Sequence, residues 1–234
     1  METVALPILI EKIKFRLDPT DALVIAEDSP LEIFQQIQNL CTKAMSGSPA
    51  KLLFTHNQFK SGRGAAVRRG MIEAVKTFPN LVHVIECDGD GSHNPDDILN
   101  LKTFTNQSDL LIGSRYLKQS KIVGWPFARR FFSKILNLLI PKMLSIEISD
   151  ITNGLRRYSL RSVKSIIEAV PKTVGFIYLS ETAQIINQKN FEIQEIPTIF
   201  VNRTKGKSTV THRELLEALI GICQLSVVKF TRKI

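Results

Sequence analysis

The sequence predicts an α/β fold with a mainly parallel, doubly wound sheet. Three observations carry that expectation. Short apolar runs alternate with amphipathic stretches through the first half of the chain. Two of those runs end in acidic turns, at Asp28 and Asp88. The 234 residues, 44% of them apolar, suffice for one sizeable core, so a single domain over residues 1–234 is expected.

The elements follow in order. Leu6 to Leu17 reads as a helix with Pro7 in its first turn, where a missing N–H costs nothing. Asp18-Pro19-Thr20-Asp21 ends it. Ala22 to Ala26 is a short apolar strand, and Glu27-Asp28-Ser29-Pro30 is its terminal turn. Leu31 to Met45 is an amphipathic helix, Lys51 to Thr55 a strand, and Ala65 to Thr77 a helix. Val82 to Ile85 is the next strand, followed by a helix from Pro95 to Thr105 and a strand from Leu110 to Ile112. Sheets of this kind bind ligands at the carboxyl ends of their strands, where Asp28 and Asp88 fall.

The second half is different in character. Phe127 to Leu144 is strongly apolar, with Arg129, Arg130, Lys134 and Lys142 interspersed. Leu216, Leu219, Cys223, Val227 and Phe230 mark a second helical stripe near the C-terminus. Each stretch reads either as a core-facing helix or as an amphipathic helix lying in a membrane interface. Neither is a span: Pro141 and Lys142 interrupt the first, and the second is too short for a bilayer.

The balance of 31 basic to 22 acidic residues gives a net charge of +9, which favours an anionic partner. Few aromatics lie between the basic residues, and no zinc, RNA-recognition or helix-turn-helix pattern occurs, so nucleic acid is not the expected partner. Cys41, Cys87 and Cys223 show neither metal spacing nor a disulfide framework. A reducing, cytoplasmic setting is expected. The first residues lack the basic and apolar regions of a signal peptide.

The most informative stretch is Val84-Ile-Glu-Cys-Asp88-Gly-Asp90-Gly-Ser92-His93-Asn-Pro95. Two carboxylates one residue apart at a strand end are costly unless a cation joins them. Hard Mg²⁺ or Mn²⁺ suits such oxygen ligands and keeps positions open for phosphate. A solvated turn is the alternative for an isolated Asp-x-Asp.

Other motifs follow in order. Lys60-Ser-Gly62-Arg-Gly64 precedes a helix. Downstream stand Gly113-Ser-Arg115-Tyr116, Gly124-Trp125-Pro126 with Arg129, Arg130 and Ser133, and Asp150-Ile-Thr152-Asn-Gly154 with Arg156. Gly175-Phe176 with Glu181, Ile196-Pro197, Asn202-Arg203 and Lys205-Gly-Lys207-Ser208 complete the series. In this order and spacing the chain resembles the family-2 glycosyltransferases of the dolichol-phosphate mannose synthase type over nearly its whole length.

The resemblance implies a GT-A-like fold with a nucleotide-binding half at 1–120 and an acceptor- and membrane-facing half at 121–234. It implies transfer of a hexose, mannose from GDP-mannose, to a polyprenyl or dolichyl phosphate by a metal-dependent enzyme at the cytoplasmic membrane face. Asp88 and Asp90, with Ser92, match the metal position, and Mg²⁺ or Mn²⁺ would bridge the donor diphosphate. Asp28, Gly62, Gly64, Glu181, Arg203 and Lys205 match donor positions. Arg115, grouped with the catalytic residues, and Arg129 and Ser133 match positions that hold the acceptor phosphate. Asp150, Thr152 and Gly154 would shape the acceptor floor.

The chain departs from the family pattern in three places. The family opens with a strand ending in Pro-Thr-Tyr-Asn-Glu or similar, whereas Val4 to Leu17 resembles the helix after that strand. Without that central strand the sheet is expected to carry unpaired edges. Glu27 and Leu179 stand where the family commonly has Asp and Gln. Two other readings therefore stay open: a UDP-sugar transferase with a different acceptor, and a catalytically impaired paralogue serving as a binding or assembly subunit.

Overall fold

The computed structural model describes residues 2–171, 173 and 177–202. The chain is α/β, and its elements run α1 (Glu2–Ile13), β1 (Ala22–Glu27), α2 (Leu31–Ala44), β2 (Lys51–His56), α3 (Arg63–Thr77), β3 (His83–Glu86), α4 (Pro95–Thr103) and β4 (Leu110–Ser114). The second half adds β5 (Lys121–Val123), α5 (Phe127–Leu144), β6 (Arg156–Ser159), α6 (Leu160–Ala169), α7 (Ile177–Gln188), β7 (Ile193–Pro197) and β8 (Ile199–Val201).

The sequence places the early elements correctly in kind and order. One boundary moves. Helix α1 begins at Glu2, so Pro7 lies inside it rather than in its first turn. An internal proline costs a helix about 3 kcal/mol. The apolar side chains around it offset that cost by packing: Leu6, Leu9, Ile10 and Ile13 are all buried.

The strands form three sheets instead of the one continuous sheet that alternation implies. β1 and β2 pair in parallel. A four-stranded sheet has the order β3-β6-β4-β7, in which β6 is antiparallel to both neighbours and β4 is parallel to β7. β5 and β8 form a short parallel pair.

Between β1 and β3 lies a cavity of about 1600 Å³, lined by both strands and by α1 and α3. Each strand has a sheet partner on one edge only among the described residues. Two helices cover the gap. On α1, Leu6 and Ile10 pack with Ile25 of β1, while Leu9 and Ile13 pack with Ile98, Leu111 and the half-buried Ile85 of β3. On α3, Gly70 approaches Val24 and Ala26 of β1. Leu23, Val24, Val84 and Ile85 are consequently only half-buried, although strands covered on both faces ordinarily bury such side chains fully. The unpaired edges expected from the sequence are present.

The main core lies on the other side. Leu110 and Ile112 of β4, Tyr158 of β6, Ile140 and Leu144 of α5 and Ile177, Ala183 and Ile186 of α7 pack together there. No described helix is long and apolar enough to cross a membrane.

Candidate active site

The carboxyl ends of β1 and β3 both flank the N-terminus of α3, Asp28 through Ser61 and Glu86 through Arg63. Gly62 takes φ +84° there, a left-handed conformation that glycine adopts freely, and α3 begins at the next residue. Gly64 is not part of the turn. It sits in α3 against the Tyr178 ring, where a Cβ would come within 2.5 Å of Cδ2.

Asp28 faces this helix entry. Its Oδ2 accepts from the Ser61 backbone N–H at 2.9 Å and the Ser61 hydroxyl at 2.5 Å, and its Oδ1 from Arg69 Nη2 at 2.5 Å. Burial pushes the carboxyl up, but the Ser61 bonds and the Arg69 cation outweigh it and hold it below the usual range.

The Asp88–Asp90 turn follows β3. Arg63 reaches into it, bonding Glu86 Oε1 from Nη2 at 2.7 Å and also Asp88 Oδ1. Glu86 is buried and additionally accepts from the Tyr158 hydroxyl at 2.9 Å. Burial disfavours charge on Arg63, and Glu86 overrides it. His93 Nε2 lies 3.1 Å from Asp88 Oδ2. Burial, then the Arg63 charge, depress the His93 ring to about 3. The ring is therefore neutral at pH 7, and Nε2 carries the proton because a carboxylate can only accept. Asp90 accepts from the Ser92 N–H at 3.0 Å.

Asp88, Asp90 and Ser92 offer oxygen only, the donor set of a hard cation. Ser92 Oγ is buried with no hydrogen-bond partner among the described residues, so it has an oxygen to offer. No group of three or more described His, Cys, Asp or Glu residues is arranged to hold a metal. A cation at Asp88 and Asp90 would draw its remaining ligands from a substrate.

A second cluster lies between β4, α5 and the 150–154 loop. Arg115 is buried and forked onto Asp150, with Nε to Oδ2 at 2.7 Å and Nη2 to Oδ1 at 2.8 Å. Arg115 Nη2 also bonds Thr152 Oγ1 at 2.7 Å. Burial opposes the Arg115 charge, and Asp150 more than restores it. Glu195 holds the loop by accepting the backbone N–H groups of Ser149 and Asp150 at 2.7 and 2.9 Å. Asn137 of α5 donates to Thr152 Oγ1 at 2.9 Å. Tyr116 donates to Ser133 Oγ at 2.7 Å.

Trp125 lies between two cations, with the Arg129 guanidinium 4.1 Å and that of Arg115 5.2 Å from its ring centre. Arg129 also bonds Asn202 Oδ1 at 3.1 Å. A cavity of about 960 Å³ opens beside this cluster, lined by Arg115, Tyr116, Arg130, Lys134 and Asn137 among others.

Among the residues singled out in the sequence, Asp88, Asp90 and Ser92 share one turn, Asp28 bonds Ser61 and Arg69 at the entry to α3, and Arg115 and Arg129 both lie against Trp125, with Ser133 bonded by Tyr116. Glu181 is turned toward Thr173, whose N–H and hydroxyl it accepts at 2.8 and 2.6 Å. Gly154 packs against the Arg63 guanidinium, which also bonds the acidic turn. Arg203, Lys205, Gly175 and Phe176 lie outside the described residues, as does the C-terminal stripe. Reasoning from sequence missed Arg63, Arg69, Glu86 and Asn137. A helix opening with Arg63 after a glycine turn was the one available signal for the arginines.

Helix α5 carries both buried and exposed apolar side chains. Ile140, Pro141 and Leu144, with Asn137, form a buried stripe. Phe127, Phe131, Phe132, Leu138, Leu139 and Met143 are exposed, Phe127 by 83%.

No family model matches the chain. Curated relatives do. The chain is 25% identical over 223 residues to a polyprenol monophosphomannose synthase of Mycolicibacterium smegmatis, covering 95% of this chain and 82% of the relative. It is 26% identical over 221 residues to an undecaprenyl-phosphate mannosyltransferase of Micrococcus luteus, covering 94% and 88%. It is 31% identical over 211 residues to a dolichol-phosphate mannosyltransferase of Pyrococcus furiosus, covering 88% of this chain and 54% of that longer protein.

Proposed function

We propose that this chain, a relative of glycosyltransferases of the dolichol-phosphate mannose synthase type, transfers mannose from GDP-mannose to a polyprenyl phosphate at a membrane surface. One observation carries the reading. An acidic turn suited to a cation-bound diphosphate stands beside an arginine cluster suited to a second phosphate. Phe200 touches residues of both.

The reaction needs little acid–base chemistry. A phosphate oxygen of the acceptor is already anionic at neutral pH, so no strong base is required. It attacks the anomeric carbon, the bond from that carbon to the diphosphate oxygen breaks, and GDP leaves with the electron pair. Inversion at the anomeric carbon is expected by analogy with the relatives. Positioning and charge stabilisation then supply the rate.

Arg129 and Ser133, one turn apart on α5, hold the acceptor phosphate, with Arg115 supporting them from below. Asp28 holds the nucleoside side of the donor. Asp88 and Asp90, with Ser92, would hold Mg²⁺ or Mn²⁺. Bound there, the ion would act as a Lewis acid on the leaving diphosphate. With an ion bound, Arg63 would keep its bond to Glu86, leaving Asp88 to hold the ion. Residues 1–120 would serve the donor and 121–234 the acceptor and membrane.

The exposed face of α5 supports peripheral membrane binding. Phe127, Phe131, Leu138 and Met143 are exposed alongside Arg130, Lys134 and Lys142. The acceptor tail would then stay in lipid while its phosphate meets Arg129.

The test is transfer of label from GDP-[¹⁴C]mannose into the organic phase, with polyprenyl phosphate in vesicles. Label in the lipid extract that depends on both substrates supports the reading. Transfer from UDP-sugars alone contradicts the donor assignment. A second reading, a binding or assembly subunit without turnover, draws support from the open slot between β1 and β3. A folded protein that binds both substrates but transfers and hydrolyses nothing would establish it.

A further inference from the structure

Phe200 is a single buried side chain in contact with both halves of the site, and neither half as read above assigns it a task. It is 7% exposed. Its ring meets His93 edge-on at 5.4 Å and Trp125 at 5.3 Å, and the Arg115 guanidinium carbon is 5.5 Å from its centre. His93 bonds Asp88 of the acidic turn. Trp125 carries Arg129 on its face.

The backbone around Phe200 is fastened to the same two groups. The Val201 N–H donates to Ser92 O at 3.0 Å, and the Asn202 N–H to Val123 O at 2.8 Å. Buried Asp97 of α4 accepts from the Thr198 hydroxyl at 2.6 Å and the Ile199 N–H at 2.7 Å. A shift of the acidic turn therefore moves β8, and a shift of β8 moves Trp125 and the arginines on it. The layer also has unmet hydrogen-bonding capacity. Among the described residues Ser92 Oγ, His93 Nδ1 and Trp125 Nε1 are buried without partners, and all three belong to residues that touch β8.

We propose that Phe200 is a positioning residue that couples the two substrate sites, so that filling either one raises the affinity of the other. The coupling rests on the donor and acceptor reading given above. It adds that the aromatic ring, and not merely apolar bulk, transmits the position of the acidic turn to the acceptor arginines. By linkage, the enhancement must be the same factor in both directions.

The experiment measures binding of GDP with Mg²⁺ in the presence and absence of a short-chain polyprenyl phosphate in detergent micelles, then the reverse. The wild-type chain is expected to bind each probe about fivefold or more tightly when the other is present, the lower end of ordinary coupling. Phe200→Leu and Phe200→Met keep an apolar but smaller side chain, and thermal denaturation checks that both variants fold. Both are expected to bind each probe alone within about twofold of wild type, a change small beside the coupling factor. The mutual enhancement should be lost and kcat should fall. Phe200→Tyr, which keeps the ring, should retain the enhancement.

Independent binding of the two probes to the wild type would overturn the coupling while leaving the substrate reading intact. Full enhancement in both non-aromatic variants would overturn the role of the ring. A wild-type chain that binds neither probe would overturn the substrate reading and the coupling together.

Discussion

Arg115 and Asp150 form a two-point pair, with the guanidinium Nε and Nη2 at 2.7 and 2.8 Å from the two carboxylate oxygens. The Arg115 backbone N–H adds a third bond to the same carboxylate at 2.9 Å. The pair fixes the end of β4 to the 150–154 loop, and Trp125 packs against the resulting cation. Asp150→Asn would leave a buried guanidinium without its counter-charge, at a cost of about 3–5 kcal/mol. Arg115→Lys would keep a charge but lose the planar fork. Both variants should melt earlier and lose transfer, as read by thermal denaturation and the label assay. A wild-type melting temperature in Asp150→Asn would show that the pair does not hold the loop.

The acidic turn makes a sharper prediction. Asp88→Asn and Asp90→Asn each remove one charge from the proposed cation site. Transfer should fall about 10²–10³-fold, the usual loss when one preorganised electrostatic contact is removed. The fold should persist, because both carboxylates lie at a partly exposed strand end. Titration with Mn²⁺ supplies the decisive readout: the variants should need more metal for half-maximal rate. Identical metal titrations in wild type and both variants would remove the cation from Asp88 and Asp90.

Arg129→Ala separates the substrates. Its guanidinium lies on the Trp125 face, one turn from Ser133 on the helix proposed to hold the acceptor phosphate. Loss of one charge-assisted bond to phosphate costs about 2 kcal/mol, or about thirtyfold in affinity. The acceptor KM should rise by roughly that thirtyfold factor while GDP affinity stays within about twofold, well under 1 kcal/mol. An equal loss of both would place Arg129 on the donor.

Acid stability depends on a residue remote from the site. Asp109 precedes β4, is buried, and accepts from Arg161, the Ser159 hydroxyl at 2.8 Å and the Glu192 N–H at 3.0 Å. Burial raises its carboxyl, but Arg161 and the two other donors together hold it below the usual range. A depressed carboxyl contributes stability that is fully present above its unfolded value of about 3.9 and lost as pH falls through the lower folded value. Asp109→Asn should therefore lose about 1–3 kcal/mol at neutral pH. It should also show a flatter decline of stability below about pH 4. Denaturant titrations across pH read both effects.

What the sequence revealed follows from how local each signal is. Asp88-Gly-Asp90 is a contiguous motif at a strand end and was legible from the residues alone, whereas Arg129 and Ser133 stood out only through the family resemblance. Arg63 was not legible, because Glu86 and Asp88 stand 23 and 25 residues away. The strand Arg156–Ser159 was missed for a different reason. Its sequence, Arg-Arg-Tyr-Ser, reads as polar, yet Arg156 and Arg157 are fully buried. Backbone carbonyls of Asn153, Leu179 and Ile151 accept from the Arg156 guanidinium, and those of Leu101, Phe104 and Asn106 accept from the two Nη groups of Arg157. No periodicity rule registers an arginine that is solvated by carbonyl oxygens. The division into three sheets was equally hidden, since pairing between strands is set by contacts far apart in sequence.

The central claim is that the nucleophile is an acceptor phosphate oxygen that needs no base. Its most direct test compares polyprenyl phosphate with the corresponding polyprenol as acceptor, in the same vesicles, with GDP-mannose and Mg²⁺ or Mn²⁺. The account predicts lipid-linked mannose with the phosphate only, at a rate nearly constant from about pH 6.5 to 8.5, a range in which the phosphate stays anionic. Equal transfer to the alcohol, or a rate that rises tenfold per pH unit, would contradict it by demanding the deprotonated hydroxyl that this mechanism omits.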